Sequence, residues 1–177
     1  MKELFVSRLN KIKKAIPLFE KRLKVKISWD KKKIIIKGEE FDEHLCEEMV
    51  KATDFGFDPE DTLLLMNPDF TIHYLNIKEF TKKTNFKEVR SRVIGVNGRA
   101  KGTIEDLTGS IIVVHENQVG IIVDTAHLDA VVQAMTSLIR GSKHANIFAY
   151  LEKQNKEIRK FDEEDLGIKG EFKKINL

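Results

Sequence analysis

Cysteine is almost absent from this chain of 177 residues. Cys46 stands alone, which excludes an intramolecular disulfide and fits a reducing compartment. No uninterrupted apolar run approaches the roughly 20 residues that a membrane-spanning helix needs. The opening Met1-Lys2-Glu3-Leu4-Phe5-Val6 carries an acid and lacks the apolar core and cleavage pattern of a signal peptide. The histidines His44, His73, His115, His127 and His144 show no ligand spacing, and His44-x-Cys46 has no second pair to complete a zinc site. These absences predict an intracellular, cytoplasmic protein with no membrane segment, metal or other cofactor. A hydrophobic fraction of 41% with 33% charged residues is ordinary for a globular chain, and the length allows one large domain or two small ones.

Charge is plentiful but unevenly placed. The net of +3 conceals blocks of +10 over residues 1–37, −10 over 38–80, +6 over 81–103 and −3 over 104–177. Solvated faces alone could produce such runs. The +6 block, however, coincides with a pair of glycines, and that coincidence favours a nucleic-acid surface.

Periodicity supplies the elements. Leu9, Ile12, Ile16, Phe19 and Leu23 recur at helical spacing, with Pro17 dividing the segment into two short helices. Val25–Trp29 and Lys33–Lys37 read as a hairpin, with Trp29 in core or hairpin packing and Lys31-Lys32-Lys33 at its solvated tip. Phe41 to Phe55 reads as an amphipathic helix ended by Gly56, and Asp58-Pro59 as the cap and first position of another. Phe70–Asn76 alternates as a strand. A helix runs from there to Ile94, and a second spans Arg99 to Leu107 with Thr108-Gly109 as its stop. Ile111–His115 and Val119–Val123 make a further hairpin, followed by a helix over Leu128–Ile139 and a long polar helix from His144 to about Glu164. Residues 166–177 read as a ragged tail. At an offset near 85 residues the two halves share the order helix, helix, strand, strand, helix, which predicts two related α/β units.

The segment Arg92-Val93-Ile94-Gly95-Val96-Asn97-Gly98-Arg99-Ala100-Lys101 concentrates the chemistry. Gly95 and Gly98 permit positive φ and close approach of a ligand. The free N–H groups of such a turn, opening a helix, make a concave anion site, and Arg99 and Lys101 add full charges. It resembles the GXXG loop of a KH domain, which clamps about four nucleotides of single-stranded nucleic acid. The expected groove lies between this loop and Ile111–His115, with Ile94, Ala100, Ile104 and Ile112 as its apolar floor. Phosphate would meet the amides of Val96, Asn97 and Gly98 and the charges of Arg92, Arg99 and Lys101. A P-loop is excluded, because Ala100 replaces its second glycine and Gly102 stands where Ser or Thr must hold magnesium.

Over nearly its whole length the chain resembles the archaeal relatives of the Dim-two/partner-of-Nob KH proteins of small-subunit ribosome assembly. The match rests on Gly56-Phe57-Asp58-Pro59-Glu60, the glycine segment above, and Ile104-Glu105-Asp106-Leu107-Thr108-Gly109. Arg140-Gly141-Ser142-Lys143-His144 with Leu151-Glu152-Lys153 completes it. The resemblance implies an α/β (α+β) fold of two tandem type I KH-like units, each a three-stranded sheet with helices on one face, plus a C-terminal helix. On this plan residues 1–68 form a degenerate unit without GXXG, 69–142 the intact one, and 143–177 the C-terminal helix and tail. It further implies no catalytic activity and, as ligand, pre-ribosomal RNA near the 3′ end of the small-subunit RNA, with Arg140, Lys143 and His144 joining the RNA-binding set. The implied protein partners are the Nob endonuclease and the alpha subunit of initiation factor two. The first repeat departs from the family: Asn10-Lys11-Ile12-Lys13 occupies the place of the glycine loop, and little room precedes Leu9 for a first strand. A protein-interaction adaptor and a general translation-linked RNA-binding protein are the rival readings. Salt-sensitive RNA retention separates the adaptor from the RNA binder.

Overall fold

The computed structural model describes the backbone of residues 1–82 and 84–165, and side chains through residue 158. The first half runs β1 (Lys2–Phe5), α1 (Leu9–Arg22), β2 (Val25–Asp30), β3 (Lys33–Gly38), α2 (Glu40–Phe55) and α3 (Pro59–Thr62), then a 3₁₀ turn over Leu63–Met66. The second runs β4 (Phe70–Asn76), α4 (Ile77–Phe80), α5 (Phe86–Ile94), a 3₁₀ turn over Val96–Gly98 and α6 (Arg99–Thr108). It continues with β5 (Ile111–His115), β6 (Gln118–Asp124), a 3₁₀ turn at Thr125–His127, α7 (Leu128–Arg140) and α8 (His144–Asp165). The tail expected over 166–177 lies outside the described residues.

Both halves build a three-stranded antiparallel sheet of the same order, β1-β3-β2 and β4-β6-β5. Two sequence expectations fail in the first half. The short start does hold a strand: Lys2 to Phe5 pair with Ile36 to Lys33 of β3. Four residues carry too little alternation to announce a strand, and the partner lies some 30 positions away. Nor does Pro17 divide the first helix, for α1 is continuous through it. Pro17 and Lys13, whose carbonyl loses its partner, are both exposed, so water can satisfy the lost bond. Meanwhile Ile12, Ala15, Ile16 and Phe19 are buried along one stripe. Each large one is worth about 1.5–3 kcal/mol, together more than the roughly 3 kcal/mol of an internal proline.

By packing, the chain groups into two compact units: Met1–Glu79 with Ser110–Thr125, and Phe80–Gly109 with Ala126–Leu177. The first is organised by a core of Ile12, Phe19, Ile34, Ile36, Cys46, Met49 and Phe57. On β6 within this unit, Gly120 admits the rings of Phe55 and Phe57, since a Cβ there would lie 2.7 Å and 2.8 Å from their nearest carbons. Phe55 in turn meets Tyr74 and His115 edge-on. Trp29 is 46% exposed, with the Lys13 ammonium 5.1 Å from its ring centroid, so it is a hairpin residue rather than core.

In the second unit α5, α6 and α7 bury Val89, Val93, Ile104, Val131, Met135 and Leu138. The helix α8 packs on α6 and α7 through buried Ile147 and Leu151, and Asn155 Nδ2 donates to the Leu107 carbonyl.

Candidate nucleic-acid interface

The glycine loop grows out of α5. Asn85 caps that helix by accepting the Glu88 N–H at 3.3 Å, and Gly95 ends it by donating its N–H to the Ser91 carbonyl at 2.8 Å. Gly95 turns at φ 77°, and a Cβ there would lie 2.6 Å from both Cβ and N of Ala100, so only glycine fits. Asn97 is left-handed at φ 51°, ψ 31°, and Gly98 follows at φ 76°. Nothing lies within 4 Å of the space a Gly98 Cβ would take, so that side of the loop is open. The Gly98 N–H is partly used by the Gly95 carbonyl at 3.2 Å, whereas the amides of Val96 and Asn97 have no acceptor among the described residues. Val96 is 77% exposed. Immediately beyond starts α6, ten residues long, whose positive end faces the same turn.

The expected cations divide by what they already hold. Arg92 Nη2 donates to the carbonyls of Gly141 and Ser142, each at 2.6 Å, tying α5 to the end of α7. Lys101 forms an i,i+4 pair with Glu105 at 2.9 Å. Arg99 and Lys143 are exposed, and their charged ends meet no protein partner among the described residues. Arg140, also exposed, lies 5.9 Å from the Phe80 ring centroid. His144 Nε2 sits 2.9 Å from the Arg92 carbonyl. A carbonyl can only accept, so Nε2 carries the proton and Nδ1 is left as an acceptor when the ring is neutral.

Of the expected apolar floor, Ile94 is half-buried and Ala100 is 5% exposed, while Ile104 and Ile112 are fully buried and offer a ligand no surface. The open apolar space beside the loop is instead a cavity of about 330 Å³ lined by Gly95, Val96, Arg99, Ala100, Thr103, His144 and Phe148. Thr103 and Phe148 escape a reading of the motif alone. The available signal was spacing: 99 and 103 lie one turn apart on α6, as 144 and 148 do on α8.

The first half uses the corresponding residues internally. Lys11 Nζ donates to the Gly56 carbonyl at 2.9 Å and pairs with Asp58 at 3.0 Å, so Asp58 holds a lysine rather than capping α3 by its side chain. The Asp54 carboxylate accepts the amides of Ser7 and Arg8. Among the described residues no group of three or more His, Cys, Asp or Glu could hold a metal ion, and no helix is long and apolar enough to cross a membrane.

A strand, two helices joined by a Gly-x-x-Gly turn, a hairpin and a final helix, with sheet order β4-β6-β5, define a type I KH domain. Residues 71–156 match the family model for the second KH domain of PNO1, described as a eukaryotic-type (type I) KH domain. A KH domain-containing protein of Methanocaldococcus jannaschii is 28% identical over 65% of this chain and 51% of its own length. The pre-rRNA-processing protein PNO1 of Candida albicans is 29% identical over 59% of this chain and 39% of its own. The chain thus spans about half or less of the length of these curated relatives. Among solved structures, a protein of unknown function from Aeropyrum pernix superposes with a TM-score of 0.85 at 26% identity, covering 96% of this chain and 97% of that one. Dim2p of Pyrococcus horikoshii gives 0.75 at 26% identity, covering 86% and 98%. A complex of a/eIF2alpha, aDim2p and rRNA from the same organism gives 0.77 at 25% identity, covering 88% and 94%. The chain is thus similar to the KH-domain proteins of the Dim2/PNO1 type, in sequence over residues 71–156 and in fold over most of its length.

Proposed function

We propose that this chain is a non-catalytic, cytoplasmic RNA-binding factor of small-subunit ribosome assembly. It holds the 3′ region of the small-subunit pre-ribosomal RNA and presents it to a processing nuclease. The observation that carries the binding half is the Gly95–Gly98 turn. It leaves two backbone amides without acceptors among the described residues at the positive end of α6, with Arg99 next in the chain. The ribosomal half is supported by relatives named pre-rRNA-processing proteins and by a structural neighbour solved with rRNA and a/eIF2alpha.

On this reading residues 69–142 are the RNA-binding unit, 1–68 a degenerate unit and 143–177 an extension. The site comprises the loop Gly95–Gly98 with Ile94, Arg99, Ala100, Lys101, Arg140, Lys143 and His144, with Arg92 and Ile104 supporting it from α5 and α6. The alpha subunit of initiation factor two and a Nob-type endonuclease are the protein partners. The acidic residues 38–80, with Phe41 exposed at the start of α2, suit a protein surface better than RNA. Crosslinking the chain to RNA in cells and sequencing the fragments tests the proposal. A peak at the small-subunit 3′ end is expected, and reads spread over messenger RNA would reject the assembly role while leaving the KH assignment intact.

A further inference from the structure

The cavity beside the loop has a shape and chemistry that phosphate binding does not use. Its walls are the Val96 side chain, Ala100, the stem of Arg99 and the half-buried ring of Phe148. At about 330 Å³ it lies at the small end of ligand sites, with room for one flat group and not for a strand. Two rings of α8 stand at it one turn apart, His144 and Phe148, with centroids 6.2 Å apart and planes tilted by 44°. The neutral His144 ring donates its Nε2 proton to the Arg92 carbonyl, which leaves Nδ1 as an acceptor on a residue that lines the cavity.

We propose that this cavity is a slot for a single nucleobase of the bound RNA, stacked on Phe148, so that α8 completes the loop's binding site. The inference rests on the RNA-binding reading above and extends it to a subsite beside the glycine turn that α8 completes. The occupant follows from what shares the cavity's mouth. Gly95 and Val96 belong both to the lining and to the turn whose Val96 and Asn97 amides have no acceptor among the described residues, and the exposed Arg99 also lines the cavity. A ligand filling both places must therefore join a flat apolar face to an anion a few ångströms away. A nucleotide does so, whereas an apolar protein side chain brings no anion for the cations and amides. Every base has a π-face for Phe148 and an N–H donor for His144 Nδ1, so the slot holds a base without selecting one.

The test uses the full chain and a labelled single-stranded RNA of the small-subunit 3′ end, intact or carrying one abasic site at successive positions. In the wild type, one abasic position should weaken binding by about 5- to 150-fold, the range that stacking of one base on an aromatic side chain carries. Phe148→Leu keeps the apolar bulk that α8 packs with. It should weaken the intact RNA by a similar factor and abolish the extra cost of that abasic site, and Phe148→Trp should restore both. Equal binding of intact RNA by Phe148→Leu, or an undiminished abasic penalty in it, would overturn the slot. Should the leucine variant melt early, the wild type alone decides. RNAs with single 4-thiouridines should crosslink to the peptide bearing Phe148, and crosslinks confined to other peptides would overturn the proposal. The double variant Val96→Asp, Asn97→Asp separates the two levels. If it abolishes binding while Phe148→Leu changes nothing, the slot fails and RNA binding by the loop stands. If it binds as tightly as wild type, the loop reading fails and the slot with it.

Discussion

Placing two aspartates at the tip of the glycine loop, Val96→Asp with Asn97→Asp, separates a phosphate clamp from a structural turn. Val96 is 77% exposed, and Asn97 sits at φ 51°, a conformation aspartate adopts nearly as readily as asparagine. Neither change removes buried surface, so stability should move by no more than about 0.5 kcal/mol, or roughly 1–2 °C in Tm for a chain of this size. The ligand meets something different. Two unit charges about 5 Å apart interact by roughly 0.8 kcal/mol in bulk water and roughly 3 kcal/mol at the effective dielectric of a protein surface. Two such repulsions therefore weaken RNA binding by at least about 15-fold, and by more at low salt. Fluorescence anisotropy with single-stranded RNA at two ionic strengths measures the loss, and a urea titration checks the fold. A variant that keeps its urea midpoint and binds RNA like the parent would refute the clamp. A collapsed midpoint would show instead that the turn holds the structure together.

Other perturbations follow the same contacts. With Arg99, Arg140 and Lys143 as the site's cations that have no anionic partner among the described residues, log K should fall with log salt at a slope of about −2, taking ~0.7 per phosphate on a single strand. Arg99→Gln should reduce that slope by about 0.7, whereas Lys101→Gln should change it far less, because Glu105 already holds the lysine at 2.9 Å. Equal effects of the two would show that the pair opens on binding. Gly120→Ala puts a methyl group 2.7–2.8 Å from the rings of Phe55 and Phe57, and overpacking of this kind costs about 1–3 kcal/mol. The urea midpoint should fall at constant m, and an unchanged midpoint would contradict the packing. Burial, and secondarily the charges of Glu20 and Asp42, push the Cys46 thiol up to about 12. Alkylation at pH 8 should therefore be slow in the native protein and fast in urea, and rapid native labelling would refute the burial of Cys46.

What could be read from sequence, and what could not, divides along a physical line. The glycine turn, its flanking helices and both hairpins follow from local rules: positive φ at Gly95 and Gly98, period 2 in Ile111–His115, period 3.6 in Leu128–Ile139. Strand β1 escaped because its four residues become a strand only by pairing with β3. Pro17 misled because a local penalty is outweighed by the buried stripe of α1. The same limit applies to the site. Residue type identifies Arg92, Arg99 and Lys101 as cations, but only the fold shows two carbonyls under Arg92, a carboxylate beside Lys101 and, among the described residues, no partner for Arg99. Likewise Ile104 and Ile112 look like a groove floor by position, yet their full burial makes them core.

The two halves, alike in sheet order, spend their backbone hydrogen bonds differently at the place of the glycine turn. Where the second half breaks at Gly95–Gly98, the first starts its helix, α1 opening at Leu9 and running through Asn10–Lys13. In that helix the amides of Lys11 and Ile12 both donate to the Arg8 carbonyl, at 3.0 Å and 3.2 Å. They are thereby withdrawn from any ligand. The cation goes the same way, since Lys11 is turned onto the Gly56 carbonyl and Asp58. Writing glycines at 10 and 13 would not restore a clamp. Each would cost about 1 kcal/mol of helix propensity, while the proline-tolerant stripe of Ile12, Ile16 and Phe19 would still hold the helix shut. The difference between the halves thus lies less in the missing glycines than in where the backbone's hydrogen bonds are spent. At Lys11 and Ile12 they close the first turn of a helix; at Val96 and Asn97 no acceptor takes them among the described residues.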